Sequence, residues 1–167
     1  FDFCRDELLK DFAAKSSIRK KAKKMLAPFT NPTSIHIRLG DYLSNNQSPI
    51  KDYAGEVIKY IEVAQGKLPP NTDYLVFTGG SREGNHDRES DFDWCKERLK
   101  GTNLHFMEGN DEVLDFELIK HCTNNIMAWD STFSFWASYL NTQGGRIFCS
   151  NDNQSLILDK PDWFEIL

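Results

Sequence analysis

The amino-acid sequence predicts an α/β fold, with a parallel β-sheet covered by helices on both faces. Strand-like segments alternate along the 167 residues with segments whose apolar side chains recur every three or four positions. One strand-like segment, residues 74–77, is apolar throughout, which is typical of a strand covered on both faces. This alternation favours βαβ units, and ligands are then expected at the carboxyl ends of the strands.

The N-terminal pattern predicts one amphipathic helix over residues 5–27, ended by Pro28. A basic run at residues 19–24 lies inside this pattern, so a solvated helix face explains it better than a nucleic-acid or localisation patch. We therefore assign residues 1–30 to an N-terminal helix that leads into the domain, and residues 31–167 to the domain itself.

The first βαβ unit follows this helix. A strand is predicted at residues 34–38, where β-branched residues lead to Gly40 at the end of the run. Helical spacing of apolar side chains returns over residues 50–65, and two prolines shortly after it break the pattern. The second strand, residues 74–77, leads directly to Thr78.

A polar stretch at residues 81–90 is long for a loop in one domain, so it is either functional or mobile. A helix over residues 92–99 and a strand at residues 104–107 come next. The helix predicted over residues 111–121 begins after Asn110, which we assign as its N-cap.

The fourth strand is predicted at residues 125–128. It leads into an aromatic helix over residues 129–140, capped by one of the three polar residues at 130–132. Residues 146–149 predict the last strand, and the residues beyond it are assigned to a tail.

Composition narrows the classes of function. The chain is 40% hydrophobic and 27% charged, which is typical of a folded domain. A net charge of −5 argues against binding to nucleic acid or to an anionic membrane, because both require a concentrated positive face. The four cysteines are far apart, so no zinc site or redox pair is indicated. A chain that begins without Met is expected to be a fragment, from which any upstream anchor or domain is missing.

Arg38 is the leading candidate for chemistry, because a guanidinium keeps its charge and can bind two phosphate oxygens at once. The alternative is a structural arginine that pairs with Asp41 or covers the sheet edge. Asp41 itself is either a general base or a turn-forming residue after Gly40. The residue spacing leaves both pairs of alternatives open.

Ser131 and Thr132 begin the aromatic helix, where free N–H groups, the helix dipole and two hydroxyls suit a diphosphate. The alternative is that these hydroxyls only cap the helix. His36 lies between two isoleucines in the first strand, so it is either a buried histidine or a hydrogen-bonding group near a base or ribose.

Several common catalytic motifs are absent from the sequence. It contains no G-x-x-x-x-G-K-[ST], no G-x-G-x-x-G after a strand, no H-E-x-x-H and no G-x-S-x-G. This argues against P-loop ATPases, ordinary dehydrogenases, zinc proteases and α/β-hydrolases.

Three segments resemble the motifs of the family 11 glycosyltransferases, the α-1,2-fucosyltransferases. Residues 36–42, HIRLGDY, are similar to the family's H-x-R-R-G-D-Y motif. Residues 74–78 with 93–99 resemble the second motif block, and residues 115–140 the third, in a form similar to the animal, nematode-type branch. Their order and spacing agree over residues 34–163, which makes the three together more specific than any one.

The resemblance implies that the chain is the C-terminal, Rossmann-like half of a GT-B glycosyltransferase, in which residues 31–167 bind a nucleotide sugar. The family's reaction transfers L-fucose from GDP-fucose to the 2-hydroxyl of a galactoside with inversion, and requires no metal or other cofactor. It also implies a Golgi enzyme with its active site in the lumen, held to the membrane only by an anchor upstream of this chain.

The resemblance also implies roles for individual residues. Arg38 would hold the β-phosphate and stabilise the charge that develops as GDP departs, while Ser131 and Thr132 assist from the start of their helix. The resemblance does not identify the base, for which Asp41 is our own assignment. His36 would lie near the guanosine. The residues assigned to donor binding are His36, Arg38, Gly40, Thr78, Ser131, Thr132 and Phe133.

Two departures from the family pattern bear on activity. Leu39 replaces the second arginine of the first motif, and Gly79 with Gly80 stand where the family usually has aspartates. A carboxylate expected near the nucleotide is then missing, unless Asp87 or Asp91 supplies it. The alternatives are a weak or inactive nucleotide-sugar-binding homologue, or a fucosyltransferase acting on a protein or another glycan.

Overall fold

The structure, a computed structural model, describes residues 2–40, 42, 52–79, 90–129, 131–150 and 161–167. The strands are β1 Thr33–Ile37, β2 Tyr74–Thr78, β3 Leu104–Phe106, β4 Asn124–Ile126, β5 Ile147–Cys149 and β6 Phe164–Ile166. The helices are α1 Arg5–Asp11, α2 Ser16–Leu26, α3 Tyr53–Gly66, α4 Asp91–Arg98, α5 Glu112–His121 and α6 Thr132–Tyr139, preceded by a short 3-10 helix at Asp2–Cys4.

The six strands form one sheet in the order β3-β2-β1-β4-β5-β6, and every neighbouring pair is parallel. This is the order of a doubly wound, Rossmann-like fold, so the prediction of an α/β fold with a parallel sheet is confirmed. The direction of winding reverses between β1 and β4. Ligands of such folds bind outside the carboxyl ends of the strands near this reversal.

Helices cover both faces of the sheet, as predicted. Ile35 and Val76 pack with α3 and α4 on one face. Leu75 and Phe77 pack with α2 and α5 on the other. Because neighbouring residues of a strand face opposite sides, the apolar run of β2 fills the core on both faces at once.

The predicted N-terminal helix over residues 5–27 is wrong, because the structure has two helices there, α1 and α2. Phe12 lies between them and stacks against Phe116 and Trp136, with ring centroids 6.4 and 6.0 Å apart. Its carbonyl accepts a hydrogen bond of 3.3 Å from Lys120 Nζ on α5. These tertiary contacts of Phe12 replace the continuation of the helix.

A buried ion pair on α5 stabilises the link between α1 and α2. Glu117 is fully buried, and its Oε1 lies 2.7 Å from Nζ of Lys120. The same Lys120 ammonium binds the Phe12 carbonyl, so the pair joins α5 to the link between α1 and α2.

A buried amide network joins β1 to β4. The Nδ2 of Asn125 donates to Ser34 Oγ at 2.7 Å and to the Ile119 carbonyl at 2.8 Å. Its Oδ1 accepts a hydrogen bond of 2.6 Å from Asn141 Nδ2. Each polar atom of the buried Asn125 side chain therefore has a partner, and the two central strands are held together by side chains as well as by the ladder.

The backbone of Gly145 passes very close to the segment that enters β4. A Cβ atom at this position would overlap the Thr123 carbonyl oxygen, and would lie 2.7 Å from Oδ1 of Asn124. The backbone N–H of Arg146 donates to the same Asn124 Oδ1 at 2.9 Å. Only glycine fits here without a shift of the backbone.

Two smaller predictions are also corrected. The residues assigned to a tail include β6, because Phe164 packs its ring against Phe135, with centroids 5.8 Å apart, and β6 pairs with β5. The N-cap of α5 is Asp111 rather than Asn110, since Asp111 Oδ1 accepts a hydrogen bond of 2.8 Å from the N–H of Leu114. The predicted polar loop at 81–90 lies, apart from Ser90, outside the described residues.

Candidate functional site

A cleft of about 500 Å³ opens at the carboxyl ends of β1 and β2, on the sheet face covered by α5 and α6. Its volume is within the range of small-molecule sites. The lining includes His36, Thr78, Gly79, Asn110, Asp115 and Phe133. Three of the residues predicted for donor binding, His36, Thr78 and Phe133, therefore come together in one cleft.

A second cavity of about 520 Å³ lies elsewhere, beside Arg5, Asn141 and Trp163. Its arginine already donates to the main-chain carbonyls of Tyr139 and Asn141, at 3.1 and 2.7 Å. Ile147, which lines this cavity, is the first residue of β5. The cavity therefore lies at the amino end of the strand, whereas ligands of such folds bind at the carboxyl ends. We therefore take the cleft at β1 and β2 as the site.

Strand register builds the floor of the cleft. His36 is level with Phe77, and Ile37 with Thr78, so β1 and β2 end side by side. The His36 ring lies against Phe133 of α6, with centroids 5.5 Å apart. The two strands and the first turn of α6 therefore meet at one point.

Two buried polar atoms in this cleft have no hydrogen-bond partner among the described residues, Nδ1 of His36 and Oγ1 of Thr78. A buried polar atom without a partner is costly, and such atoms are rare in folded proteins. Both atoms belong to residues that line the cleft, so a bound molecule could satisfy them.

His36 is neutral in the folded protein. Burial of its ring, and secondarily the positive charge of Arg38, lower the pKa of His36 to about 4. A neutral imidazole presents one donor and one acceptor nitrogen, so His36 can hydrogen-bond a ligand without changing the charge of the site.

Arg38 follows β1 directly. Its guanidinium lies over the Tyr42 ring, 4.6 Å from the centroid, and its carbonyl accepts a hydrogen bond of 2.5 Å from the Tyr53 hydroxyl. Arg38 and Gly40 are not among the described residues that line the cleft. Asp41 lies outside the described residues, so neither its role as a base nor its pairing with Arg38 is tested.

One of the two polar residues at the start of α6 caps the helix. Ser131 is buried and is the N-cap, with its Oγ accepting a hydrogen bond of 3.2 Å from the N–H of Ser134. Thr132 is exposed. Neither residue is in the described lining of the cleft, so their contact with a diphosphate stays a prediction.

Asp115 lines the cleft, but the sequence analysis assigned it no role of its own. It lies on α5, where Asn110 Nδ2 donates to its Oδ1 at 2.9 Å. Burial, together with the negative charge of Asp111, raises the pKa of Asp115 to about 6. One signal was available, because Glu112 and Asp115 are three residues apart at the start of a helix that follows a strand end.

Asp91, one of the two residues considered as a source of the missing carboxylate, lies beside Gly79. Asp91 is only 2% exposed, and its Oδ2 would lie 3.8 Å from a Cβ atom at Gly79. The other candidate, Asp87, lies outside the described residues, as does Gly80. No three His, Cys, Asp or Glu side chains within the described ranges are grouped as potential metal ligands.

Comparison with known proteins gives a family match over nearly the whole chain. A family model described as Glycosyl transferase family 11 matches residues 2–164. The O-antigen biosynthesis glycosyltransferase WbnK of Escherichia coli is 30% identical over 155 residues, which cover 82% of this chain and 46% of that protein.

Two further relatives are more distant. The alpha-1,2-colitosyltransferase of Escherichia coli is 26% identical over 166 residues, covering 95% of this chain and 51% of that protein. The galactoside alpha-(1,2)-fucosyltransferase 2 of Gorilla gorilla gorilla is 25% identical over 174 residues, covering 95% and 48%. The chain spans about half the length of the curated relatives it matches.

Proposed function

This chain belongs to glycosyl transferase family 11, and on that premise we propose that it binds GDP-fucose at the cleft and transfers L-fucose to the 2-hydroxyl of a galactoside. The observation that carries the proposal is the pair of unpartnered buried atoms, His36 Nδ1 and Thr78 Oγ1, in a cleft at the carboxyl ends of two parallel strands. The names of two relatives, a colitosyltransferase and a fucosyltransferase, support a related sugar donor.

In this proposal the base of the nucleotide lies beside Asp115. The edge of guanine presents adjacent N–H donors, and an ionised carboxylate can accept two hydrogen bonds from them. The hydrogen bond from Asn110 fixes the orientation of the Asp115 carboxylate toward the cleft. The neutral His36 ring, supported by Phe133, supplies a further hydrogen bond near the base or ribose.

The proposed reaction inverts the anomeric carbon of fucose. The acceptor hydroxyl oxygen attacks this carbon on the face opposite GDP, while the bond from the carbon to the β-phosphate oxygen breaks. The hydroxyl proton passes to a base, for which Asp41 is the proposed residue. Arg38 stabilises the negative charge that GDP gains as it leaves, and this requires no metal or other cofactor in our proposal.

The remaining donor contacts extend this scheme. We assign Gly40 to the close approach of backbone to the donor, because its φ of 29° is in a region that favours glycine. The N–H groups at the start of α6, next to Ser131 and Thr132, are assigned to the diphosphate. Both assignments rest on the positions of these residues at the carboxyl edge of the sheet.

The wider setting is also part of the proposal. The chain would form the C-terminal half of a GT-B enzyme of the animal, nematode-type branch, acting in the Golgi lumen. Within the described residues, no helix is both long and apolar enough to cross a lipid bilayer. Acceptor recognition would come largely from the half of the relatives that this chain does not match.

A homologue that binds GDP-fucose without transferring it is the second candidate, because Gly79 and Gly80 replace aspartates of the family pattern. In our proposal Asp91 supports transfer, since its Oδ2 would lie 3.8 Å from a Cβ atom at Gly79, close to the position of the missing carboxylate.

A transfer assay separates these candidates. The full-length protein is incubated with GDP-fucose and a galactoside, and we expect release of GDP together with a fucosylated product. UDP-galactose serves as the control donor and is expected to give neither. Binding of GDP-fucose without product from any of a panel of galactosides would favour the second candidate. Failure to bind GDP-fucose or GDP would contradict both.

The proposed role of Asp115 predicts a pH dependence of base binding. Above pH 6 the carboxylate is ionised and accepts hydrogen bonds, whereas below pH 6 it is protonated, because its pKa is raised to about 6. Calorimetry with guanosine, which carries no phosphate, is therefore expected to show affinity falling about tenfold from pH 7 to pH 5. His36 does not contribute, since its pKa of about 4 keeps it neutral in this range.

Two variants test this origin of the pH dependence. Asp115→Asn should bind guanosine weakly and equally at both pH values. Asp93→Asn alters an exposed aspartate whose pKa a hydrogen bond from Ser90 lowers, so it should keep the wild-type dependence. Equal affinity of the wild type at pH 5 and pH 7 would contradict the assignment.

A further inference from the structure

We propose that Tyr42 and Tyr53 form a positioning device that holds Arg38 in its binding orientation before the donor arrives. The inference rests on the proposed function, in which Arg38 contacts the diphosphate of GDP-fucose. The two tyrosines act on different parts of the same residue, one on its main chain and one on its guanidinium.

Tyr53 fixes the main chain of Arg38. It is the first residue of α3, and its hydroxyl donates a 2.5 Å hydrogen bond to the Arg38 carbonyl, across 15 residues of sequence. The Tyr53 side chain is buried at 5% exposure, so water does not readily replace this bond. The start of α3 is set by Asp52, whose carboxylate accepts from the N–H of Gly55 at 3.2 Å. The exit of β1 and the start of α3 are thus held together.

Tyr42 supports the guanidinium. A turn in which the Tyr42 N–H donates to the Leu39 carbonyl at 2.8 Å returns the chain toward Arg38. The Tyr42 ring then lies under the guanidinium, 4.6 Å from its carbon, in a cation–π contact. A planar guanidinium favours stacking on an aromatic face, and a stacked guanidinium directs its N–H groups away from the ring.

The two tyrosine rings brace each other. They meet edge to face, with centroids 5.1 Å apart and an interplanar angle of 87°. Behind them, the Tyr53 ring contacts Trp129, which follows β4, at 5.9 Å between centroids. The device therefore spans the point between β1 and β4 where the winding of the sheet reverses.

This support has a consequence for catalysis. An arginine side chain has several rotatable bonds, and fixing it only when ligand binds reduces affinity. A guanidinium held beforehand by Tyr42 and Tyr53 can stabilise a developing charge without reorganising.

The alternative is that these tyrosines only fill the core, and Tyr60 provides the matched control for it. Tyr60 is also on α3, its hydroxyl donates to the Phe148 carbonyl at 2.8 Å, and its ring contacts Trp129 at 6.0 Å. Its hydroxyl and its ring make these contacts away from Arg38. Tyr60→Phe therefore removes the same kind of hydrogen bond from the same helix.

The test compares GDP with guanosine by calorimetry on this chain. Tyr53→Phe and Tyr42→Leu are expected to weaken GDP binding roughly ten- to a hundredfold, because the displaced Arg38 no longer meets the diphosphate. Guanosine binding should not change, since guanosine has no phosphate. Tyr60→Phe should bind both as the wild type does, and Tyr42→Phe, which keeps the ring, should recover GDP binding.

The outcomes separate this inference from the proposed function. If the wild type binds GDP and both Tyr53→Phe and Tyr42→Leu bind it equally well, the inference is overturned and the proposed function stands. If the wild type does not bind GDP, the proposed function fails. The NMR relaxation of the Arg38 Nε–H group in the free protein then measures directly whether the two tyrosines restrict the motion of the Arg38 side chain. Faster motion in Tyr53→Phe and Tyr42→Leu, but not in Tyr60→Phe, supports it, and equal motion in all four proteins overturns it.

Discussion

Replacing Arg38 with alanine is expected to lower kcat for fucose transfer by about 10²- to 10³-fold, the usual effect of removing one group that stabilises developing charge. Arg38 follows β1 directly, and its charge is close enough to His36, which lines the cleft, to contribute to the lowered pKa of that histidine. The variant should also bind GDP more weakly while binding guanosine as before. The measurements are the transfer rate of the full-length protein and calorimetry with GDP and guanosine.

Arg98→Ala is the matched control for Arg38→Ala. The Arg98 guanidinium also lies over an aromatic ring, that of Trp94, at 5.0 Å, but on the surface of α4. It should leave both GDP binding and the transfer rate unchanged. Arg38→Lys should recover only part of the rate, because an ammonium keeps the charge and loses the planar pair of donors. Equal GDP binding by the wild type and Arg38→Ala would remove the assigned role.

Replacing Glu117 with alanine is expected to lower the free energy of unfolding by about 3–5 kcal/mol, the range for removing one partner of a buried ion pair. Glu117 is fully buried beside Lys120, whose ammonium would be left without its carboxylate. The same ammonium binds the Phe12 carbonyl, so the link between α1 and α2 should loosen as well. Urea denaturation followed by circular dichroism measures the change.

Two comparisons identify the buried charge as the cause. Glu62→Ala removes an exposed carboxylate on α3 and should change the free energy of unfolding by no more than about 0.5 kcal/mol. The double variant Glu117→Leu with Lys120→Met should recover most of the loss, because it leaves no uncompensated charge. A Glu117→Ala variant as stable as the wild type would show that the pair contributes nothing to folding.

The central strands were predictable from sequence because their signal is local. Residues 74–77 are apolar at every position, which is typical of a strand covered on both faces. The strand-like runs near residues 34 and 125 are short but are bounded by turn-forming residues. Together with the helical spacing between them, these runs predict the parallel sheet.

The incorrect elements depend on contacts between distant residues. The break between α1 and α2 follows from the packing of Phe12 on Phe116 and Trp136, and nothing in the local spacing of residues 5–27 indicates it. Strand β6 has three residues, too few for a periodic pattern, and it forms because Phe164 can pack against Phe135.

The candidate site, like the fold, was predictable from sequence only where its signal is local. His36 and Thr78 follow from their places at the ends of β1 and β2, because parallel strands that are neighbours in a sheet present their carboxyl ends together. Asp115 is in the first turn of α5, and only the packing of that helix on the sheet brings its carboxyl group into the cleft. The proximity of Asp91 to Gly79 likewise depends on the folded chain.

The close approach of Gly145 to the entry of β4 also restricts how this sequence can diverge. The relatives share only 25–30% of their residues with this chain, so substitution has been extensive over the fold. Gly145 does not have a positive φ, and its restriction comes from the space that the Thr123 carbonyl occupies. A lineage that keeps this β4 to β5 junction can therefore replace most surface residues but has no neutral substitution at position 145. Change there would have to accompany a shift of the backbone.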